Sequence, residues 1–473
     1  MPRLSFVLLL GLFGSLGLLP AQSTSAAPPG SPVARWGALH VANAALSDSQ
    51  GDPVALRGMS LFDTTSYGQY ATPEVLAWLR DDWKATLFRA AMYTSYNGQF
   101  VGEAAYEGLF QAVQAAIDSG VYVLVDWHIL TDGNPLSHVA EAKDFFRKVA
   151  TRFAGAPNLI YEICNEPNGA GVTWADAIKP YALQMIPEIR ALAPDSVIVV
   201  GTPLWSTQPQ VAAADPLPFA NVMYTEHFYA GTHDLTWLER IDQAKAAGAA
   251  VFVTEWGATT AQVRGPLAVT RSLAWARGLA ARGVSWANWS LGTKLEPASA
   301  LKPLASTRGG WEFGDLTESG LLIRSILRDE PTGPVFADNF DSGNFKAGGW
   351  VRAGPTLDKA EPFSGTASAR FEGQATLAKT LVADAYRSWN WSFEDRGQGW
   401  KPGDKVFIES SSDGSNWTVV ATRTQADPTW VRAQGTLPSG LDRQAQIQFR
   451  IRAALGAGAV YWVDNVELSA TRD

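Results

Sequence analysis

Residues 159–167 read Leu159-Ile160-Tyr161-Glu162-Ile163-Cys164-Asn165-Glu166-Pro167, an apolar run of strand length that closes in an Asn-Glu pair and is stopped by proline. A second run has the same plan: Ala250-Val251-Phe252-Val253-Thr254-Glu255-Trp256-Gly257. Neither alternates strictly between polar and apolar, which describes strands covered on both faces and therefore a parallel sheet. Six further runs of this kind occupy 54–60, 85–92, 122–128, 196–202, 221–229 and 284–290. Between them lie amphipathic segments that predict helices over 73–83, 106–119, 141–153, 174–192, 235–247 and 266–281, with a last one over 321–328. Gly120, Gly248 and Gly283 stand just past three of these, where a left-handed cap is wanted. The weakest connection is 209–218, whose helix is predicted short or absent. Eight strands alternating with helices in roughly 280 residues is the arithmetic of an α/β (β/α)₈ TIM barrel. A doubly wound open sheet is the rival, but it needs fewer strands and a Gly-rich phosphate-binding turn that the chain lacks.

Outward from the barrel, 473 residues exceed one ordinary domain, so a second unit is expected. Apolar content of 46% with 18% charged residues describes a globular chain with an ample core. A net charge of -8 without Lys/Arg blocks excludes nucleic acid and anionic membrane as partners, and a monomer is expected. The amino terminus has a lone Arg3, an apolar run from Leu4 to Leu19, Pro20 and the small residues Ser23-Thr24-Ser25-Ala26-Ala27. That pattern predicts a secretory signal peptide over 1–27, cleaved after Ala26 or Ala27, and an extracellular or periplasmic protein. No later stretch reaches the roughly 18–20 apolar residues of a bilayer span. Cys164 is the single cysteine, which rules out an internal disulfide, and its apolar setting reads as a buried structural thiol.

The catalytic-type domain is assigned to 28–330, with a flexible lead-in over 28–32 and a hairpin between Trp36 and Ala55 that turns at Ser49-Gln50-Gly51-Asp52-Pro53. Pro331-Thr332-Gly333-Pro334 reads as a short stiff linker. Residues 335–473 carry short Val/Phe/Ile/Trp runs between turn residues, the pattern of an all-β sandwich, jelly-roll-like.

Barrels keep their chemistry at the carboxyl ends of the strands. Here those ends carry Arg89, Asp126-Trp127-His128, Asn165-Glu166, His227 and Tyr229, Glu255 and Trp289. Any one of them is explained as a satisfied structural group; six strands ending this way together are not, because buried polar groups cost stability unless they are partnered. Two carboxyl groups delivered from two strand ends can flank one scissile bond, the requirement of a retaining glycosidase. Nineteen tryptophans suit stacking on sugar rings, although most must fill cores.

The motifs Leu56-Arg57-Gly58-Met59-Ser60, Phe88-Arg89-Ala90-Ala91-Met92-Tyr93, Val125-Asp126-Trp127-His128, Glu162–Pro167, His227-Phe228-Tyr229, Val253-Thr254-Glu255-Trp256-Gly257 and Ala287-Asn288-Trp289-Ser290 resemble glycoside hydrolase family 5, in its bacterial cellulase-like branch. The resemblance covers about 36–330. It implies a secreted endo-β-1,4-glucanase acting with retention, with Glu166 as acid/base and Glu255 as nucleophile. Arg89 and Tyr229 are then expected to favour the Glu255 carboxylate, Asn165 to bind the sugar 2-hydroxyl, and His128 and His227 to orient sugar and catalytic groups. Substrate contacts are implied for Trp289 beneath the reacting sugar, Trp205 on the leaving-group side, Tyr93, and Lys294 and Glu296 in a neighbouring subsite; a solvated charge pair is the alternative for the last two. No cofactor is required, and β-glucan is the partner. The loop 61–67 departs from the family pattern and borders the distal glycone subsites, whose affinity it leaves open. Mannan or mixed-linkage glucan as substrate, and a non-catalytic polysaccharide-binding protein, remain the alternatives.

The edges of the second domain resemble secreted jelly-roll modules, many of which bind carbohydrate. Asp338, Asp341 and Asp464 would suit a structural Ca²⁺, with turn capping as the alternative, and Trp389, Trp391, Trp400 or Trp430 could form a glycan platform.

Overall fold

The computed structural model describes residues 27–96 and 99–473; the expected signal peptide lies outside them save for Ala27. Eight parallel strands form the first unit: β1 (Arg57–Leu61), β2 (Leu87–Tyr93), β3 (Tyr122–His128), β4 (Leu159–Glu162), β5 (Val197–Val200), β6 (Val222–Thr225), β7 (Ala250–Gly257) and β8 (Trp286–Leu291). Each pairs with its neighbours in chain order, and β6 pairs with β7 while β8 pairs with β1, so the barrel closes. Closure leaves no free edge, and the apolar runs are buried on both faces as their composition demands. A two-residue strand, Phe228–Tyr229, continues the β6 path alongside the end of β7.

The helices fall where their periodicity places them: Pro73–Asp81, Tyr106–Ser119, Val139–Arg152, Lys179–Arg190, Leu238–Ala246, Val269–Ala281 and Glu318–Leu327. Tyr106–Ser119 is ended by Gly120 at φ 68°, whose amide bonds back to Ala116 and Ile117. The segment 174–192 opens with one wide turn, Trp174–Ile178, before its α-helix. The weak connection holds a short helix, Pro209–Ala214.

Two expectations are corrected, and one is met with an addition. The lead-in is not wholly flexible: Pro32–Trp36 is a helix, capped by the Ser31 side chain. The expected turn at 49–53 is present, closed by an antiparallel bridge from Ser47 to Pro53 and capped by Asp48 through the amides of Gln50 and Asp52; before it a tighter hairpin, His40–Ala42 with Ala45–Ser47, turns at Asn43-Ala44, both left-handed (φ 51° and 55°). With Leu39, Leu46 and Leu56 it seals the amino end of the barrel against Tyr122 and Leu124. Finally, 331–334 is no linker, because Thr332–Asp338 is already a strand paired with Val460–Arg472.

The second unit is an antiparallel sandwich. One sheet has six strands centred on Val460–Arg472, and the other five: Val351–Ala353, Gln374–Val382, Gln446–Ala454, Lys405–Ser411 and Thr418–Arg423. Period-two burial is clean in Gln446–Ala454, where Ile447, Phe449, Ile451 and Ala453 face the core. First and last strands lie side by side, with Asp338 opposite Val466.

Barrel and sandwich are locked by buried charge. Lys302, 3% exposed, donates to the carbonyls of Gly314 and Ala337 and to Asp338 Oδ1 at 3.0 Å. Lys379 of the sandwich bonds Glu318 at the start of the last barrel helix and the Gly348 carbonyl at 3.1 Å. Removing one partner of such a pair strands the other charge, which costs about 3–5 kcal/mol. Lys302→Ala is therefore expected to lower the melting temperature and to split calorimetric unfolding into separate barrel and sandwich transitions.

Candidate active site

Register builds the site. Ser60 lies opposite Arg89 across β1–β2, Ala91 opposite Asp126 across β2–β3, and Asp126 opposite Glu162 across β3–β4. Asp126 and His128, two apart on one strand, share the inward face. At the centre is Arg89, fully buried. Its Nε donates to Glu162 Oε2 (2.7 Å), Nη1 to Glu255 Oε2 (3.0 Å) and Ser60 Oγ (3.3 Å), and Nη2 to Asn165 Oδ1 (2.7 Å) and Glu162 Oε1 (3.2 Å). Asp126 Oδ2 lies 2.8 Å from Nη2 and 2.6 Å from His128 Nδ1.

Glu255, at the end of β7, also accepts the Tyr229 hydroxyl at 2.7 Å. Burial pushes its carboxyl up, but the charges of His227, Arg89 and His128 and the Tyr229 bond outweigh that and hold it below the ordinary glutamate value. Glu166 sits in the opposite environment. Burial and the nearby negative charge of Glu255 outweigh its bond to His227 and hold it above the ordinary value. One oxygen from each of these carboxylates and a ring nitrogen of His227 all lie within 4.8 Å of one another.

His227 fixes the protons. Its Nδ1 is 2.9 Å from Glu166 Oε1 and its Nε2 2.8 Å from Thr254 Oγ1. Thr254 donates its one hydroxyl hydrogen to Glu162 Oε1 at 2.6 Å, and Glu162 is held ionised, burial being overcome by Arg89 and His227 to bring it down to about 2. The Thr254 oxygen can then only accept, so His227 Nε2 carries a hydrogen and Nδ1 shares a proton with Glu166. Although burial opposes it, bonding to Glu162 and Glu166 raises His227 to about 9. Both ring nitrogens are thus engaged within this network, and with Glu166 and Glu255 the ring forms the one Glu/His trio with metal-ligand spacing among the described residues.

Above these groups opens a cleft of about 770 Å³ lined by Tyr93, His128, Glu166, Trp205, His227, Tyr229, Glu255, Trp289, Lys294 and Glu296. Arg89 and Asn165 are fully buried beneath it and do not line it; the Asn165 amide donates to the Ile129 carbonyl (3.0 Å) and lies 3.4 Å from His128 Nε2. Trp289 stacks on His128 at 5.5 Å and meets Phe62 at 5.2 Å, and Tyr93 lies over His128 at 4.2 Å. Trp205, at 49% exposure, projects from three consecutive left-handed residues, Leu204 to Ser206. Its amide bonds the Pro167 carbonyl, while Ser206 links the carbonyl of Asn165 to the amide of His227. Lys294 and Glu296 pair with each other at 2.8 Å and both border the cleft. In the departing loop, Asp63 caps Thr64–Tyr67 and accepts the Tyr96 hydroxyl.

Three groups in this network escaped the sequence reading of site residues: Asp126, Glu162 and Thr254. Asp126 had a signal, its two-residue spacing from His128. Glu162 and Thr254 had none, because only strand register brings them together.

In the sandwich, Trp389 and Trp391 are core residues and cannot form a platform. Trp400 is partly buried with its Nε1 on the Val460 carbonyl, and Trp430 lies beside Phe363 under Arg396. Of the three aspartates, Asp341 and Asp464 accept turn amides, while Asp338 mainly meets side chains. Asp338 faces Lys302 and Trp350, Asp341 accepts from Thr366 and Ala367, and Asp464 accepts from the amides of Phe363, Ser364 and Asn465.

A parallel barrel holding two carboxylates this close, one favoured as acid and one as base, has the constellation of a retaining glycosidase, in which they stand about 5–5.5 Å apart. The profile of cellulase (glycosyl hydrolase family 5) matches residues 47–295, and the chain belongs to that family. It is 38% identical over 440 residues to endoglucanase 5 of Pectobacterium carotovorum subsp. carotovorum, covering 89% of this chain and 85% of that protein, so the likeness extends into the sandwich. It is 44% identical over 297 residues to endoglucanase A of Evansella cellulosilytica, spanning 62% of this chain and 61% of that one. Among solved structures, the catalytic domain of a Thermobifida fusca endoglucanase, also solved in complex with cellotetraose, is 36% identical with a TM-score of 0.60, covering 63% of this chain and all of that domain.

The opposed shifts predict a bell-shaped pH dependence of kcat/KM, with the acid limb set by protonation of Glu255 and the alkaline limb by loss of the proton shared by Glu166 and His227. Tyr229→Phe removes a bond that favours the Glu255 carboxylate, so that group's pKa must rise. The acid limb should move to higher pH by about one unit while the alkaline limb stays, as read from pH–rate profiles.

Proposed function

We propose that the chain is an endo-β-1,4-glucanase that cleaves internal bonds of β-glucan by double displacement. Glu255, held ionised by Arg89, His227 and Tyr229, attacks the anomeric carbon while Glu166 passes its proton to the departing glycosidic oxygen. The resulting Glu166 carboxylate then takes a proton from water, which attacks the same carbon and frees Glu255, so configuration is retained. The single observation that carries this reading is the approach of a Glu166 oxygen to within 4.8 Å of a Glu255 oxygen; the opposite pKa shifts of the two groups agree with it. His227 holds the Glu166 carboxyl group in place through both steps by its Nδ1 contact.

The open cleft suits a chain entering along its length, with Trp289 and Trp205 as stacking faces either side of the reacting bond. The same reading places the enzyme outside the cytoplasm as a monomer. Support for export is the Leu4–Leu19 run and its small-residue sequel, and no helix among the described residues is long and apolar enough to cross a membrane.

Glu166→Gln and Glu255→Gln should each lower turnover of a soluble β-1,4-glucan by roughly three orders of magnitude while binding persists. The wild-type product should appear first as the β-anomer in proton NMR. An α-anomer, or turnover confined to mannan in a panel of glucans and mannan, would refute the assignment.

A further inference from the structure

We propose that the seam between barrel and sandwich is a distal subsite for the same glucan chain, so that the sandwich forms part of the substrate-binding surface. This rests on the endoglucanase reading above. A second cavity, of about 510 Å³, lies at the seam and shares Lys294 and Glu296 with the catalytic cleft. The two cavities meet at that pair, and Trp205 borders only the first.

Glu296 marks the junction. Its side chain is 9% exposed; Oε2 takes the Lys294 ammonium at 2.8 Å, and Oε1 is buried without a partner. Glu296 borders both cavities and keeps an acceptor without a protein donor, which water or a sugar hydroxyl can satisfy.

The far wall belongs to the sandwich. Thr380, Val382 and Gln446 border the cavity from the outer face of the five-stranded sheet. Because Ile447, Phe449 and Ile451 point inward, the alternate residues Gln446, Gln448, Arg450 and Arg452 point outward in a row. Of that row only Gln446 borders the cavity; Arg450 and Arg452 lie beyond it, both paired with Glu409. The hydroxyl of Thr380 and the amide of Gln446 fit a neutral polyhydroxylated chain. The buried cations here, Lys302 and Lys379, already face Asp338 and Glu318. Those same pairs hold the walls in place, so the cavity is preformed and its occupation costs little ordering.

The test uses the full chain. Thr380→Trp fills the cavity, and a Lys346→Ala, Gln446→Ala double variant, in which both side chains are exposed lining groups, strips it without touching the core. Each is assayed on a long soluble β-glucan and on a chromogenic β-cellobioside, alongside thermal melts; the double variant decides the matter if Thr380→Trp melts early. The expected result is a fall of about five- to tenfold in kcat/KM for the polymer relative to the cellobioside, carried by KM. No change in that ratio, or an equal fall on both substrates, overturns the subsite while leaving the endoglucanase reading standing. A wild-type chain inactive on both substrates would overturn the two together.

Discussion

One guanidinium sets the terms for the whole active site. Arg89 has five N–H donors and uses all of them, on Glu162, Glu255, Asn165 and Ser60, with Asp126 in contact as well. It stays charged at any pH the protein survives, and it lies where water cannot reach it. An unpaired charge there would cost several kcal/mol, so the strands carrying its partners must meet at one level. Those partners come from β1, β3, β4 and β7 and from the segment just after β4. Fold and site thus answer to the same constraint: a slip of one register position along any of these strands would turn a partner away and leave the cation bare.

The division of labour between the two glutamates follows from where this charge falls. Glu255 touches Arg89 directly; Glu166 does not, and meets the cation only through Glu162, Thr254 and His227 in series. Direct contact stabilises a carboxylate. The series instead ends in a proton held between an imidazole and a carboxyl group, available for transfer. Burial acts on both residues alike, so the difference in their chemistry arises from the charges and bonds around each: His227 and Arg89 favour the Glu255 carboxylate, and that carboxylate in turn disfavours charge on Glu166.

Much of this was legible in the chain. The barrel strands announce themselves because continuous Val/Ile/Phe runs have no other stable home, and Glu166, Glu255, His227 and Tyr229 stand at their ends as polar exceptions. What escaped has physical reasons. Ala44 carries no preference for a left-handed turn, so the first of two successive reversals has no cue, whereas the Gly-Asp-Pro signal marks the second, closed by the Ser47–Pro53 bridge. Pro331 to Pro334 looked like a spacer, yet Pro334 pairs with Ser469 just before a register shift, the irregular position where a strand tolerates proline. Trp389 and Trp391 share a face by spacing, but spacing does not say which face is inside. Thr254 is an unremarked threonine until β6 and β7 lie side by side and set it against Thr225, Glu162 and His227.

The left-handed run at Leu204 to Ser206 has a consequence for how such an enzyme diversifies. Trp205 owes its position to backbone torsions pinned at either end by Pro167 and His227, and very little to neighbours packed around its ring. A perch defined by the main chain is indifferent to what stands on it. Other aromatic or polar side chains could stand there and reshape that wall of the cleft while the two carboxylates keep their spacing.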